Sequence, residues 1–372
     1  MPYYLVFFLS TSLIGLANAK SVHIYKGFRV FLVILAILTL AVMSGIRSYS
    51  VGTDTVSYNG FFNYVANSFS FTQYCNALHS NNGLEYGYII LNYIVGKIYL
   101  SPHFLYFVCQ CISGTLIYLS LYKMRGYLDI TLGWLTYCCL FYTTSFNILR
   151  QTMSLAFILL ATVYAVEAQY RKSVILIAVG YLFHTSAIFA LVIPLTGKLI
   201  KDAADKKQLK RRIIFLTLLI IFTPQIINLA NSIGLFSDKY SQYLGQDTTT
   251  NLITTMGVRL PMIIGLVYSW YHDKWDLDRN IMFIYLITIF EFLMLPLQSI
   301  TAAAGRLMLS LGITKVISYP LIIAHLHIKP SLLRNCITIL FIFLIVGIFY
   351  AQVIVQHNNQ VYPYVIDKSI TW

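Results

Sequence analysis

The sequence predicts an all-α polytopic membrane protein, and three observations carry that prediction. Hydrophobic residues make up 58% of the chain and charged residues only 10%, where soluble domains average about a quarter charged. Apolar runs close to the roughly 20 residues that a helix needs to cross a bilayer recur from end to end. Lysine and arginine gather in the short segments between those runs, as the positive-inside rule requires. A soluble domain has no way to bury so many apolar helices, whereas lipid accepts helices because they satisfy their own backbone.

Full spans are expected at 3–19, 28–46, 104–122, 129–146, 148–168, 213–231, 257–271, 281–297, 306–326 and 332–354. The first run ends in Ala17-Asn18-Ala19, which mimics a signal-peptidase site, but nothing before Lys20 is charged. A signal peptide carries a positive leading region, so this run reads as a first span. Two stretches are odd. Residues 86–100 are short and run up to Pro102, and residues 173–198 carry His184 in their middle, in Phe183-His184-Thr185-Ser186.

The basic segments decide orientation. They are Lys20/Lys26/Arg29, Lys123/Arg125, Arg171/Lys172, Lys198 to Arg212, Lys274/Arg279 and Lys329/Arg334. All face the cytoplasm in one arrangement. There 86–100 lies on or dips into the outer face, 173–198 is a re-entrant hairpin turning near His184, and both termini are outside. In the rival arrangement both odd stretches span, which gives about 12 helices rather than about 10. That places Lys123, Arg125, Arg171 and Lys172 outside and Arg150 inside. Residues 1–372 read as one multi-span domain with outer loops near 47–85, 232–256 and 355–372. These loops are rich in Asn, Ser, Thr, Gln and Tyr, a composition suited to sugars and equally to solvated loops.

The net charge of +13 is accounted for by those basic segments and their lipid headgroup neighbours. No basic stripe interleaves with exposed aromatics, so nucleic acid is not expected as a partner. The six cysteines show neither zinc-like spacing nor a disulfide framework. No P-loop or dinucleotide fingerprint is present, and neither a metal nor a cofactor is expected. Asp276-Leu277-Asp278 spells the DxD of metal-dependent glycosyltransferases, but it sits in a very short basic loop with no nucleotide-binding fold around it.

The unusual polar residues fall on the other side. Arg47, Arg150, Arg259 and Arg306 sit at the outer ends of spans. Arginine at such depth snorkels to headgroups or faces a cavity, and its planar fork grips phosphate. In Gly45 to Tyr58, Asp54 is a candidate general base, a partner for an arginine, or simply a helix cap; Tyr58 adds a hydroxyl. His184 titrates near neutrality, which suits a base, although a buried histidine also serves packing. Gln151 beside Arg150 suits an anionic ligand, and Glu85 is a second outer carboxylate. Glu291 and Lys315 lie at similar depth and are expected to pair across adjacent helices, with a proton relay as the rival reading.

Taken in order, these landmarks resemble the EpsG family of Wzy-like polymerases. The resemblance rests on Arg47 with Gly52-Thr53-Asp54 and Tyr58, then Glu85-Tyr86-Gly87-Tyr88, Arg150-Gln151, Phe183-His184-Thr185-Ser186-Ala187, Arg306 and Tyr362-Pro363-Tyr364. Each motif alone is weak; the ordered set covers nearly the whole chain. The resemblance implies a GT-C-like helical fold and a metal-independent glycosyltransferase in the bacterial inner membrane. Such an enzyme joins undecaprenyl-diphosphate-linked oligosaccharide repeat units into exopolysaccharide or the O-antigen of lipopolysaccharide at the periplasmic face. A flippase and a chain-length regulator are the protein partners it implies. On that reading Arg47, Arg150 and Arg306 hold the diphosphate, and His184 or Asp54 takes the acceptor proton. Tyr58, Glu85, Gln151 and Arg259 make further substrate contacts. An O-antigen ligase-like enzyme shares most of this physics, and a polysaccharide flippase or transporter is the non-enzyme alternative.

Overall fold

The computed structural model describes residues 2–19, 24–68, 70–223, 225, 252–273, 277–296, 302–328 and 330–370. Among them the regular structure is helical, with one isolated antiparallel bridge between Arg47 and Ile366. The helices are α1 Pro2–Asn18, α2 Lys26–Gly45, α3 Thr55–Asn63, α4 Phe71–Asn82, α5 Tyr86–Ile98, α6 Pro102–Lys123, α7 Ile130–Tyr137 and α8 Leu149–Val166. They continue as α9 Tyr170–Tyr181, α10 Val192–Lys201, α11 Lys206–Ile221, α12 Leu252–His272, α13 Arg279–Leu293, α14 Ala302–Gly312, α15 Lys315–Ala324 and α16 Ser331–Phe349.

Four helices are individually long and apolar enough to cross a membrane among the described residues: Lys26–Gly45, Pro102–Lys123, Leu149–Val166 and Ser331–Val355. α14 and α15 together form a fifth such segment, bent by 46°. The break falls between Gly312 and Lys315 inside the stretch expected as one continuous span. The protein is therefore an all-α polytopic membrane protein, as the apolar runs predict. α8 is the centre of the bundle, with 83% of its apolar window buried against 28% for the last helix. A helix apolar all round belongs inside, and its small residues let neighbours approach: Gly180 of α9 lies over Ser154, and Gly197 of α10 over Ala165.

Those contacts fix the path of residues 170–201. α9 runs antiparallel to α8 and reaches its N-terminal end. The chain breaks at Leu182–His184, turns through the 3-10 segment Thr185–Leu191, and α10 returns. Lys201 Nζ bonds the Val166 carbonyl, so the hairpin starts and ends at the same end of α8. This is the hairpin turning at His184 that the charge distribution predicts. α5 also lies as expected, at the other end of the bundle. Gly87 touches Leu182 at the hairpin turn, and Gly96 touches Val65 of the preceding loop.

The two ends of the bundle differ as the sequence requires. One end carries the basic segments and is tied together by Lys123–Glu167 at 2.8 Å, Arg212 to the Leu199 carbonyl at 2.7 Å and Asn280 to Tyr127 at 2.8 Å. At the opposite end the segment expected as the long loop 47–85 contains α3 and α4. Their side chains Tyr58, Phe62, Tyr74 and Leu78 bury together with Tyr88, Leu105, Tyr106, Leu149 and Met153 into a second apolar cluster. The expected loop 232–256 lies up to residue 251 outside the described residues.

Candidate active site

The N-terminal end of α8 is where the polar motifs meet. Before it, α7 loosens into a π turn at Cys138–Tyr142 and a 3-10 turn at Thr143–Phe146. Such irregular turns recur at functional sites. They deliver Asn147 and then Arg150 and Gln151 to the end of the bundle.

Arg150 Nη1 is ion-paired with Glu85 Oε2. Glu85 Oε1 also accepts from the Thr185 backbone N–H at 3.4 Å, so one carboxylate links α8 to the hairpin turn. The rest of Glu85-Tyr86-Gly87-Tyr88 secures this link. The Gly87 N–H donates to the Leu182 carbonyl at 2.7 Å, an approach that a side chain would block, since a Cβ there would lie 2.7 Å from the same oxygen. Tyr88 is buried edge-on against Tyr58, with ring centroids 5.8 Å apart. The Tyr58 oxygen meets the Arg150 guanidinium, and burial pushes its pKa up against the opposing pull of Arg150, so it remains a phenol.

His184 is buried and caps the 3-10 turn that follows it. Its Nδ1 accepts from the Ser186 N–H at 3.2 Å and lies 2.7 Å from Ser186 Oγ. A backbone N–H only donates, so Nδ1 is an acceptor and the proton of the neutral ring sits on Nε2. Gln151 Nε2 donates to Ser186 Oγ at 3.3 Å and to the Arg306 carbonyl at 2.6 Å, which brings the start of α14 to the same place. The Arg150 and Arg306 charges both act on His184. Arg150 Nε and Gln151 Oε1 are buried without a hydrogen-bond partner, as are Arg47 Nε and Nη2.

Asp54 stands at the N-terminus of α3, yet its side chain makes no cap bond. Its partly exposed carboxylate accepts from Thr53 Oγ1 at 3.3 Å. It also lies close enough to Tyr58 to act on it electrostatically. The turn carrying it docks on the chain just before α8. Gly52, at φ +97°, sits under the Phe146 carbonyl, and Thr53 reaches Asn147 Oδ1 at 3.1 Å. The tail closes over this junction: Asn359 O accepts from Thr53 N and Asn147 Nδ2, and Gln360 O from Gly52 N. Tyr364 donates to the Met43 carbonyl at 2.6 Å.

The structure thus brings Asp54, Tyr58, Glu85, Arg150, Gln151, His184 and Arg306 together. It does not bring Arg47 or Arg259 to them. Arg47 is fully buried, stacked between Tyr106 at 4.0 Å and Phe146 at 4.5 Å, with Nη1 on Ser44. It lies one layer beneath α3, because Tyr106, whose ring covers it, also donates to the Thr55 carbonyl. Arg259 pairs inside the bundle with Glu291 at 3.0 Å, and Lys315 joins the same Glu291 oxygen at 2.6 Å. The expected Glu291–Lys315 pair is therefore present, as a triad. Asp278 of the DxD motif caps α13, accepting from Asn280 N at 2.6 Å; Asp276 lies outside the described residues. Sequence reasoning quoted Ser186 in the His184 motif without the role of fixing the His184 ring, and it missed Asn147, which joins the Asp54 turn to the tail. The only signal for either was a small polar residue in an apolar stretch.

The EpsG family model matches residues 30–366, nearly the whole chain. The protein belongs to the EpsG family. No curated protein and no solved structure matches it. Family membership gives this membrane protein a polymerase-like role in polysaccharide biosynthesis.

Proposed function

We propose that this EpsG-family protein polymerises lipid-diphosphate-linked oligosaccharide repeat units at the outer face of a bacterial inner membrane. The observation that carries this reading is the convergence of five sequence-distant motifs on the N-terminal end of α8, at the end of the bundle away from the basic loops. A glycosyl transfer from a lipid diphosphate breaks the bond between the anomeric carbon and the phosphate oxygen. It forms a bond to an acceptor hydroxyl, and the diphosphate departs with the electron pair. Arg150, held by its ion pair, meets the growing negative charge as a fixed donor that needs no reorganisation, and Arg306 adds a second positive charge nearby. Glu85 holds the Arg150 fork in position.

The hydrogen-bonding of His184 supports a narrower role than that of a base. With Nδ1 committed to Ser186, Nε2–H is a donor suited to a phosphate oxygen. The acceptor proton then falls to Asp54, whose carboxylate is spared from capping. The substrate is undecaprenyl diphosphate carrying an oligosaccharide, and a flippase supplies it. Arg47 and Arg259 act structurally in this reading. Expression of an Arg150→Ala variant in a strain lacking the gene tests it. The expected surface glycan is a single repeat unit where the native protein makes a ladder. An unchanged ladder overturns the assignment, and repeat units trapped on the inner leaflet mark a flippase instead.

A further inference from the structure

A cleft of about 360 Å³ lies at the basic end of the bundle, far from Arg150. Three of the chain's eight histidines line it: His272, His325 and His327. His272 ends α12 and Asp273 follows it, while His325 and His327 follow α15. His327 Nε2 lies 2.9 Å from Asp273 Oδ1 and 3.0 Å from Oδ2, and His272 Nδ1 lies 3.6 Å from Oδ1. The three potential ligand atoms fall within 4.8 Å of one another. Two ligands on a tetrahedral zinc ion, each bonded at about 2.0–2.2 Å, stand about 3.4 Å apart. The two histidine–aspartate edges, 2.9 and 3.6 Å, bracket that length, and the histidine–histidine edge is within 4.8 Å.

We propose that His272, Asp273 and His327 bind a divalent transition-metal ion of the zinc class, which clamps the end of α12 to the α15–α16 connection. The donor set favours such an ion over magnesium or calcium, because imidazole suits zinc, cobalt and nickel while the hard cations take oxygen. The scaffold is arranged beforehand. Ser269 Oγ donates to the His325 carbonyl at 2.9 Å and is held in turn by the Tyr285 hydroxyl at 3.0 Å. The Asp273 N–H donates to the Ser269 carbonyl at 3.2 Å. One serine on α12 thus fixes both ligand-bearing segments. His327 is held at φ +53°, a conformation that costs a non-glycine residue about 1–3 kcal/mol and persists where surroundings enforce it. The two imidazoles lie nearly parallel, with centroids 4.5 Å apart and an interplanar angle of 12°. Each ring has one nitrogen within 3.6 Å of the Asp273 carboxylate, so a small rotation of these exposed side chains suffices to aim both lone pairs at one ion. Three protein ligands leave one coordination position for water. Arg334 lines the same cleft, so an anion is the competing occupant.

The test uses the full chain in detergent after removal of any affinity tag. Zinc titration by calorimetry is expected to show one ion per chain, at least about tenfold weaker in Asp273→Ala and in His327→Ala, by analogy with metal-site mutations. Cobalt titration of the native protein guards against misfolded variants. A tetrahedral visible band without a near-ultraviolet thiolate band supports the proposal. A thiolate band would move the ion to a cysteine such as Cys336 and overturn it. Equal zinc affinity in both variants, no zinc binding by the native chain, or saturation by inorganic phosphate with none by zinc overturns it as well.

Discussion

On the proposed reading His184 serves two purposes that substitution separates. Its Nδ1 caps the turn at Ser186, and Nε2–H would donate to the diphosphate. Asparagine is a strong cap residue and has no counterpart to Nε2. His184→Asn is therefore expected to keep the native melting temperature and lose the polysaccharide ladder, whereas His184→Ala loses about 1 kcal/mol of stability as well. A fully active His184→Asn protein would reduce the histidine to its capping role. Arg150 offers a similar comparison. Lysine supplies charge but not the fork that spans Glu85 and Tyr58, so Arg150→Lys should lose about 100-fold in polymerisation rate, the usual cost of one preorganised donor. The sequence shows the chemistry-bearing residue types and their order. It does not show that Arg47 stacks between Tyr106 and Phe146, because an arginine at a span end reads alike whether an aromatic cage or a ligand receives it.

At the scale of elements, the hairpin turn is held by its contacts with α5. A methyl group at position 87 would meet the Leu182 carbonyl, and backbone on both sides leaves little room to yield. Gly87→Ala is expected to cost about 1–3 kcal/mol as overpacking does, and to reduce activity without touching a polar site residue. Normal melting and normal activity would show that α5 is not fixed there. The Arg259–Glu291–Lys315 triad places two cations on one buried carboxylate oxygen. Glu291→Gln strands both cations, so it should destabilise by about 3–5 kcal/mol, as breaking a buried pair does. Lys315→Met leaves a neutral pair and should cost less; the reverse order in thermal melts would contradict this account. Spans were legible because apolar length is written locally in the chain. α3 and α4 were not, because their helical faces are completed by Tyr88, Tyr106 and Leu149 from other elements, and Asn, Ser and Gln mask the pattern. The 46° break before Lys315 was hidden inside an unbroken apolar run.

For the whole molecule, the segregation of basic loops to one end follows from membrane insertion, and the gathering of polar motifs at the other is the finding that family membership gives meaning to. Much of the chain's path was recoverable from that asymmetry, since the basic segments share one end only if 173–198 turns back near His184 and 86–100 stays at the opposite face. The convergence of the candidate residues was recoverable in part. Asp54, Tyr58, Glu85, Arg150, Gln151, His184 and Arg306 converge, whereas the tail that straps the Asp54 turn through Asn359 and Gln360 carries no signal for that contact. Truncation before Gln356 is expected to lower the melting temperature and the length of the glycan together, because it removes the main-chain acceptors for Gly52 and Thr53. A truncated chain with native polymer would separate the tail from the site. The most direct measurement supplies the purified protein with a synthetic repeat unit on undecaprenyl diphosphate, without added metal, and resolves the products by size. The account predicts a ladder of polymers with release of lipid diphosphate, absent in Arg150→Ala and His184→Asn. A ladder from both variants at the native rate, or none from the native protein, would contradict it.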